Sequence, residues 1–276
     1  MKINKILNNN VVVVKEGHDE IIVIGPGIAF GKRKNDIINS DKIEKVFVMK
    51  DEKEYEKFTQ IIDMLPEEHI SLAEEIITHA EKQLRTKLNE HIHVGLTDHL
   101  SFAIERVSQG FELRNKLLHE IKVLYDAEFN IGLWALELVS KKTGITLPED
   151  EAAHIALHLH TAKMNTSTMS ETLNTTVIIN ELIKRIEEKL SVKLAESSIS
   201  YQRLITHLNF ALKRVIKGEA FEDIDEEMYK LVRERHADAY KMAVELAQFL
   251  YEKEGMTLPN SEIVYLTLHI QRIQRN

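Results

Sequence analysis

Four histidines in two matched pairs are the residues of this 276-residue chain best suited to chemistry. The run His99-Leu-Ser-Phe-Ala-Ile-Glu-Arg-Val-Ser-Gln-Gly110 recurs as His207-Leu-Asn-Phe-Ala-Leu-Lys-Arg-Val-Ile-Lys-Gly218, 108 positions on (99 to 207). Gly144-Ile-Thr-Leu-Pro148 recurs as Gly255-Met-Thr-Leu-Pro259, 111 positions on (144 to 255). Each copy of that second motif is followed by a Leu-His pair, Leu157-His158 and Leu268-His269. So long a period exceeds that of solenoid repeats and fits a duplicated domain. An imidazole can act as general acid or base, metal ligand, pH sensor or, when neutral, as a nucleophile that accepts a phosphoryl group.

These chemistries are not equally compatible with the pattern. His154 and His158 share a helix face at i,i+4 with Glu151 a turn earlier, but the His-Glu-x-x-His arrangement is missing. The second copy has Tyr265 in place of His154, so a ligand pair would not explain the duplication. No metal and no cofactor are expected. Ser-His-Asp spacing, a Gly-rich phosphate loop and a nucleotide fingerprint are all missing, and an enzyme is not expected. Asp98 beside His99 is one candidate to orient a ring, but Asp is more often a helix cap, and Thr206 replaces it in the second copy. Packing alone would accept Leu, Gln or Tyr at a half-buried histidine, and the repeat does change His160 to Gln271. Transient phosphorylation accounts best for four matched rings. A phosphoryl group brings roughly −1.5 to −2 charges and three strong acceptors. Arg203 lies one turn before His207 and Arg272 one turn after His269, where the first copy has Gly95 and Thr161. Phosphate in the second copy is therefore expected to tighten contacts, and in the first to repel.

The elements that must position these rings follow from periodicity. Pro66 opens a long helical region, and Pro148 and Pro259 read as helix starts with acidic first turns. Leu72, Ile76, Ile77, Leu84 and Leu88 form one helical stripe. Leu182, Ile186 and Leu190 form a second, and Leu204, Leu208, Ala211, Leu212 and Val215 a third. Met164–Glu171 is polar and reads as the joint between two bundles of about five helices each. The first fifty residues read as antiparallel β-structure: strands at Lys2–Leu7, Val11–Val14, Glu20–Ile24 and Ile43–Met49, with Asn8–Asn10 and Glu16–Asp19 as turns. Asp51–Lys57 reads as a linker. The fold class is thus multidomain: a small antiparallel sheet over 1–56, then all-α bundles over 66–170 and 171–276. So small a sheet is expected to dimerise through one face.

Composition narrows the setting. Hydrophobic residues at 43% and charged residues at 29% describe a globular chain. With no cysteine, disulfides and thiolate metal sites are excluded, which suits a reducing cytoplasm. Met1–Asn8 lacks a signal-peptide core, and no run of about 18 apolar residues offers a membrane span. Residues 1–50 carry nine Lys/Arg against six Asp/Glu, whereas the remainder carries 27 against 38. A basic head on an acidic body points towards a polyanion for the head.

Three groups of residues give the chain a resemblance. These are Lys2–Val11, reading Lys-Ile-Asn-Lys-Ile-Leu-Asn-Asn-Asn-Val; Gly25–Lys32 with Ile43–Phe47; and the paired signatures Leu96–His99 and Tyr201–His207. On these the chain resembles, end to end, transcriptional antiterminators of the BglG/SacY/LicT type. The resemblance implies a dimeric RNA-binding domain followed by two PTS-regulation domains. The partners it implies are a leader-mRNA hairpin, whose binding prevents a terminator from forming, HPr, and a sugar-specific enzyme II. Carried onto this chain, enzyme II acts on His99 and His158 and inhibits, and HPr acts on His207 and His269 and activates. The implied RNA contacts are Lys5, Asn10, Gly25, Gly27, Phe30 and Gly31. Residue chemistry agrees in kind: Asn10 can read base edges, Phe30 can stack, the glycines admit close backbone approach, and Lys5 and Lys32 suit phosphates. One position departs from the family pattern. Pro26 stands where an arginine is usual, removing a cation and a backbone donor and lowering the expected affinity. Two other classes are a DNA-binding activator, which needs a helix-turn-helix at the front, and an interaction module that has lost RNA affinity.

Overall fold

The computed structural model describes residues 1–16, 19–25, 27–43, 45–48, 65–164, 169–221 and 223–275. The front of the chain is a four-stranded antiparallel sheet, β1 (Ile3–Ile6), β2 (Val11–Glu16), β3 (Asp19–Ile24) and β4 (Lys45–Val48), in sequential order. In the β2–β3 register Val11 opposes Ile24 and Val13 opposes Ile22. Period-two alternation sends Val12, Val14, Ile21 and Val23 to one face, where Ile3, Ile28, Ala29 and Ile38 cover them. Val11, Val13, Ile22 and Ile24 point the other way, against Ile70, Leu65 and Val94. A strand buried on both faces needs an unbroken apolar run, which is why Val11–Val14 does not alternate. Among the described residues of the first fifty there is one 3-10 turn, Ser40–Lys42, and no helix-turn-helix. The expected linker Asp51–Lys57 lies outside the described residues.

Ten α-helices follow among the described residues: α1 (Glu67–Leu84), α2 (His91–Ser108), α3 (Leu118–Leu124), α4 (Asp126–Thr143), α5 (Glu149–Lys163), α6 (Met169–Leu190), α7 (Ile199–Lys217), α8 (Glu226–Arg235), α9 (Ala237–Glu254) and α10 (Asn260–Arg275). The repeated Gly-x-Thr-Leu-Pro motif is the connection that delivers α5 and α10. Gly144 and Gly255 stop the preceding helices with φ of 74° and 67°, a left-handed conformation that favours glycine. Pro148 and Pro259 precede the next helix. Two expectations are corrected. Arg85 ends α1 with φ 53°, so Leu88 is not part of the helical stripe although it is buried in the same core. The joint between the copies is shorter than Met164–Glu171, because α6 already begins at Met169.

The chain forms two compact units. One holds the sheet and most of the first copy, Met1–Arg114 with Asn130–Thr166. The other holds Asn115–Phe129 with the second copy, so α3, first-copy in sequence, packs with α6 and α7. Its buried Glu120 carboxylate accepts from Asn180 Nδ2 at 2.7 Å and from Tyr201 OH at 3.3 Å. The core of the first unit's bundle runs through Leu96, Leu100, Ile155 and Leu159, and that of the second through Leu204, Leu208, Leu266 and Ile270. Each of the four matched histidines sits one residue along from a core residue, Leu100, Leu159, Leu208 or Ile270, which leaves its ring at the edge of a packed core.

Candidate functional site

In the first unit α2 carries His99 and α5 carries His154 and His158. The His99 and His158 ring centroids are 5.1 Å apart, and His154 is 5.4 Å from His99. In the second unit α7 and α10 place His207 and His269 at 5.0 Å, with Tyr265 at 5.6 Å from His207. The matched sequence positions thus become matched ring pairs. The His154-to-Tyr265 difference keeps an aromatic wall in both and leaves the second with one imidazole fewer. Among the described residues no group of His, Cys, Asp and Glu is arranged to hold a metal ion.

The sequence reading did not identify the carboxylates that face these rings. Glu151 Oε2 lies 3.0 Å from His99 Nε2, and Glu262 Oε2 lies 3.0 Å from His207 Nε2. Glu151 is fully buried and also pairs with Arg106. Its desolvation opposes charge, but His99, His154 and Arg106 together outweigh this and hold the carboxyl below the usual carboxylate range. In the second copy Arg214, the counterpart of Arg106, lies over the Phe221 ring at 5.4 Å. Asp98 is exposed in the middle of α2 and is neither cap nor ring partner. The missed signal was the offset: Glu151 and Glu262 are 111 residues apart (151 to 262), as are His158 and His269.

The second ring of each pair is held neutral. Burial, reinforced by His99 and His154, lowers the His158 pKa to about 3. Burial together with His207, Arg272 and Arg203 lowers that of His269 to about 4. A neutral ring keeps a lone pair available to an electrophile. The surroundings differ. A Cβ on Gly95 would lie 3.4 Å from His158 Nδ1, so glycine lets that ring sit close against α2. At the equivalent point Arg203 lines an open depression of about 510 Å³ with His207, His269 and Phe210.

At the front of the chain the Asn8–Asn10 turn and the Gly25–Lys32 loop are joined. Gly25 N–H donates to Asn10 O and Ala29 N–H to Asn9 O, each at 2.9 Å. Asn10 Oδ1 accepts from Gly27 N–H at 2.6 Å, and Lys42 Nζ donates to Gly27 O at 3.0 Å. Gly27 and Gly31 have φ of 59° and 70°, which fits the turns they make. Phe30 is 76% exposed, so it is not a core aromatic. Lys5 and Lys32 are exposed, and Pro26 lies outside the described residues. A further contact was not foreseen from sequence. Glu67, at the start of α1, accepts from Asn9 N–H at 2.9 Å and from Asn10 Nδ2 at 3.5 Å. In this conformation both ends of the Asn10 amide are therefore engaged within the chain.

Comparison with known proteins agrees with this layout. Residues 1–56 match the CAT RNA binding domain, and residues 74–162 and 180–273 each match the PRD domain. The transcription antiterminator LicT of Bacillus subtilis (strain 168) is 39% identical over 274 residues, 99% of each chain. The beta-glucoside operon antiterminator of Dickeya chrysanthemi is 37% identical over 275 residues, 99% of this chain and 97% of that protein. The crystal structure of GlcT CAT-PRDI is 39% identical, with a TM-score of 0.56, and covers 59% of this chain and 98% of that one. No helix among the described residues is long and apolar enough to cross a membrane. Two ring pairs on duplicated helices behind a small sheet, and matches along almost the whole length, place this chain in the family of transcription antiterminators that couple a CAT RNA-binding domain to paired PRD domains, PTS-regulated RNA-binding regulators of antitermination.

Proposed function

We propose that the chain binds a leader-mRNA hairpin as a homodimer, through the surface formed by Lys5, Asn10, Gly25, Gly27, Phe30 and Gly31. We assign residues 1–56 to RNA binding and 66–170 and 171–276 to regulation. His99 and His158 accept phosphate from a sugar-specific enzyme II, and His207 and His269 accept it from HPr. The observation that supports this most is the repeated ring pair, 5.1 Å apart in one unit and 5.0 Å in the other, with the second ring neutral in each. Phe30, exposed on a loop beside Lys32, supports the RNA surface, because a solvated aromatic is a stacking platform for an unpaired base.

The test has two arms. Gel shifts of the full chain with its leader hairpin and with duplex DNA should show RNA binding only, weakening with salt. Mass spectrometry at neutral pH after incubation with phosphorylated HPr should place phosphate on His207 or His269. In Arg203→Ala, Arg272→Ala the phosphorylated chain should lose its gain in RNA affinity, whereas an undiminished gain would remove the arginines from the switch. The Glu67 contact adds a sharper expectation. Asn9 N–H and Asn10 Nδ2 are donors that RNA acceptors would use, so RNA has to displace the Glu67 carboxylate. Glu67→Ala in the full chain is expected to tighten RNA binding about fivefold, about 1 kcal/mol, the scale of one hydrogen bond. Equal or weaker binding would show that Glu67 does not compete with RNA.

A further inference from the structure

His99 and His207 each turn the same ring nitrogen inward. His99 Nε2 and His207 Nε2 are buried, as are Glu151 Oε2 and Glu262 Oε2; each nitrogen faces its carboxylate oxygen at 3.0 Å, short of hydrogen-bond alignment, and none of the four has a hydrogen-bond partner among the described residues. The side chains of His99 and His207 are nevertheless 18% and 23% exposed, so their contact with solvent lies away from Nε2. The geometry recurs in two copies whose remaining surroundings differ, since Arg106 pairs with Glu151 while Arg214 lies over Phe221.

An ionised carboxylate only accepts hydrogen bonds, and a neutral imidazole carries one N–H and one lone pair. A lone pair aimed at a buried carboxylate would be repelled, whereas an N–H is attracted. We propose that Glu151 and Glu262 are positioning residues that hold His99 and His207 as Nε2–H tautomers and so direct phosphoryl transfer to Nδ1. This rests on the reading of both histidines as phosphoacceptors. In the step, the Nδ1 lone pair forms the new N–P bond as the P–N bond of a phosphohistidine donor protein breaks, and that bond's electron pair returns to the donor ring. No proton has to leave the acceptor. The ring becomes cationic and keeps its Nε2–H facing the carboxylate, which stabilises the new charge. Transfer to Nε2 would instead require a ring flip or would press a phosphoryl group against a buried anion.

The test uses the full chain with ring-15N histidine. Nitrogen–proton correlation spectra before phosphorylation are expected to show the proton on Nε2 of His99 and His207. After transfer from phosphorylated HPr, 31P–15N coupling is expected to place the phosphoryl group on Nδ1 of His207. A proton on Nδ1, or phosphate on Nε2, overturns the inference. Phosphate on none of the four histidines overturns the phosphoacceptor reading, while the tautomer measurement still stands by itself. Glu262→Ala should give a mixture of tautomers at His207 and phosphate on both nitrogens. Glu262→Gln, whose amide oxygen offers the N–H an acceptor in the same place, should restore a single tautomer. An unchanged single tautomer in Glu262→Ala removes the positioning role. If that variant does not fold, the spectra of the native chain decide.

Discussion

Gly132→Ala is expected to destabilise the first helical bundle by about 2 kcal/mol. A Cβ at this position would lie 2.4 Å from the Ala152 carbonyl oxygen and 3.0 Å from its Cα, a clash of α4 with the backbone of α5. A rotamer change cannot relieve a backbone clash, so the cost falls near the upper end of overpacking, about 3 kcal/mol. The better helix propensity of alanine returns about 1 kcal/mol. Because α5 carries Glu151, His154 and His158, separating the helices would also loosen the His99–Glu151 contact. Denaturant unfolding of the full chain should show one transition moved and the other unmoved. A variant as stable as the native chain would mean that the close crossing is not needed. The second copy has Ala243 at the equivalent point (132 to 243), so its helices cross with a methyl group already in place.

The second large effect is a loss of stability in mild acid, arising from His158 and His269. In the unfolded chain both titrate near 6.5, whereas the folded protein holds them at about 3 and about 4. Between those values the unfolded state binds more protons, so stability falls as pH drops from about 6.5 towards 4. The slope approaches about 1.4 kcal/mol per pH unit for each ring and vanishes below the folded values. Glu151 adds a loss of the same sign at lower pH, below 4.5, because its folded pKa is depressed. Urea midpoints measured from pH 7 to pH 4 should decline steeply in the native chain. They should decline less in His158→Gln, His269→Gln, whose rings no longer titrate. Parallel curves would show that these rings are protonated in the fold. Such held-neutral rings also fit nucleophiles better than cations would.

The sequence was most legible where periodicity is strict or a motif repeats. Val11–Val14, the stripes in α6 and α7, and the two Gly-x-Thr-Leu-Pro connections could each be placed from local rules, because β-branching, 3.6-residue spacing and Gly–Pro punctuation act over a few residues. The stripe that ran on to Leu88 shows the limit of such rules. Hydrophobicity alone does not separate a helical position from a buried loop position, and the left-handed Arg85 decides between them. The family resemblance was legible too, as was the pairing of the four histidines.

By itself, the sequence determined that this chain carries a sheet followed by two copies of one helical domain, each with two histidines at matched points. Only the tertiary structure decided what those histidines face. Glu151 and Glu262 looked like helix-start residues because acids favour that end of the helix dipole, and only the packing of α2 on α5 and of α7 on α10 turns them towards a ring. Likewise Glu67 stands in the acidic first turn of α1, and the fold of the first unit brings it to Asn9 and Asn10, 58 and 57 positions away. The physical reason is common to all three. Local sequence rules register the free energy of a residue in its own turn of helix, whereas the partner of a carboxylate is set by long-range packing, which brings together residues distant in sequence.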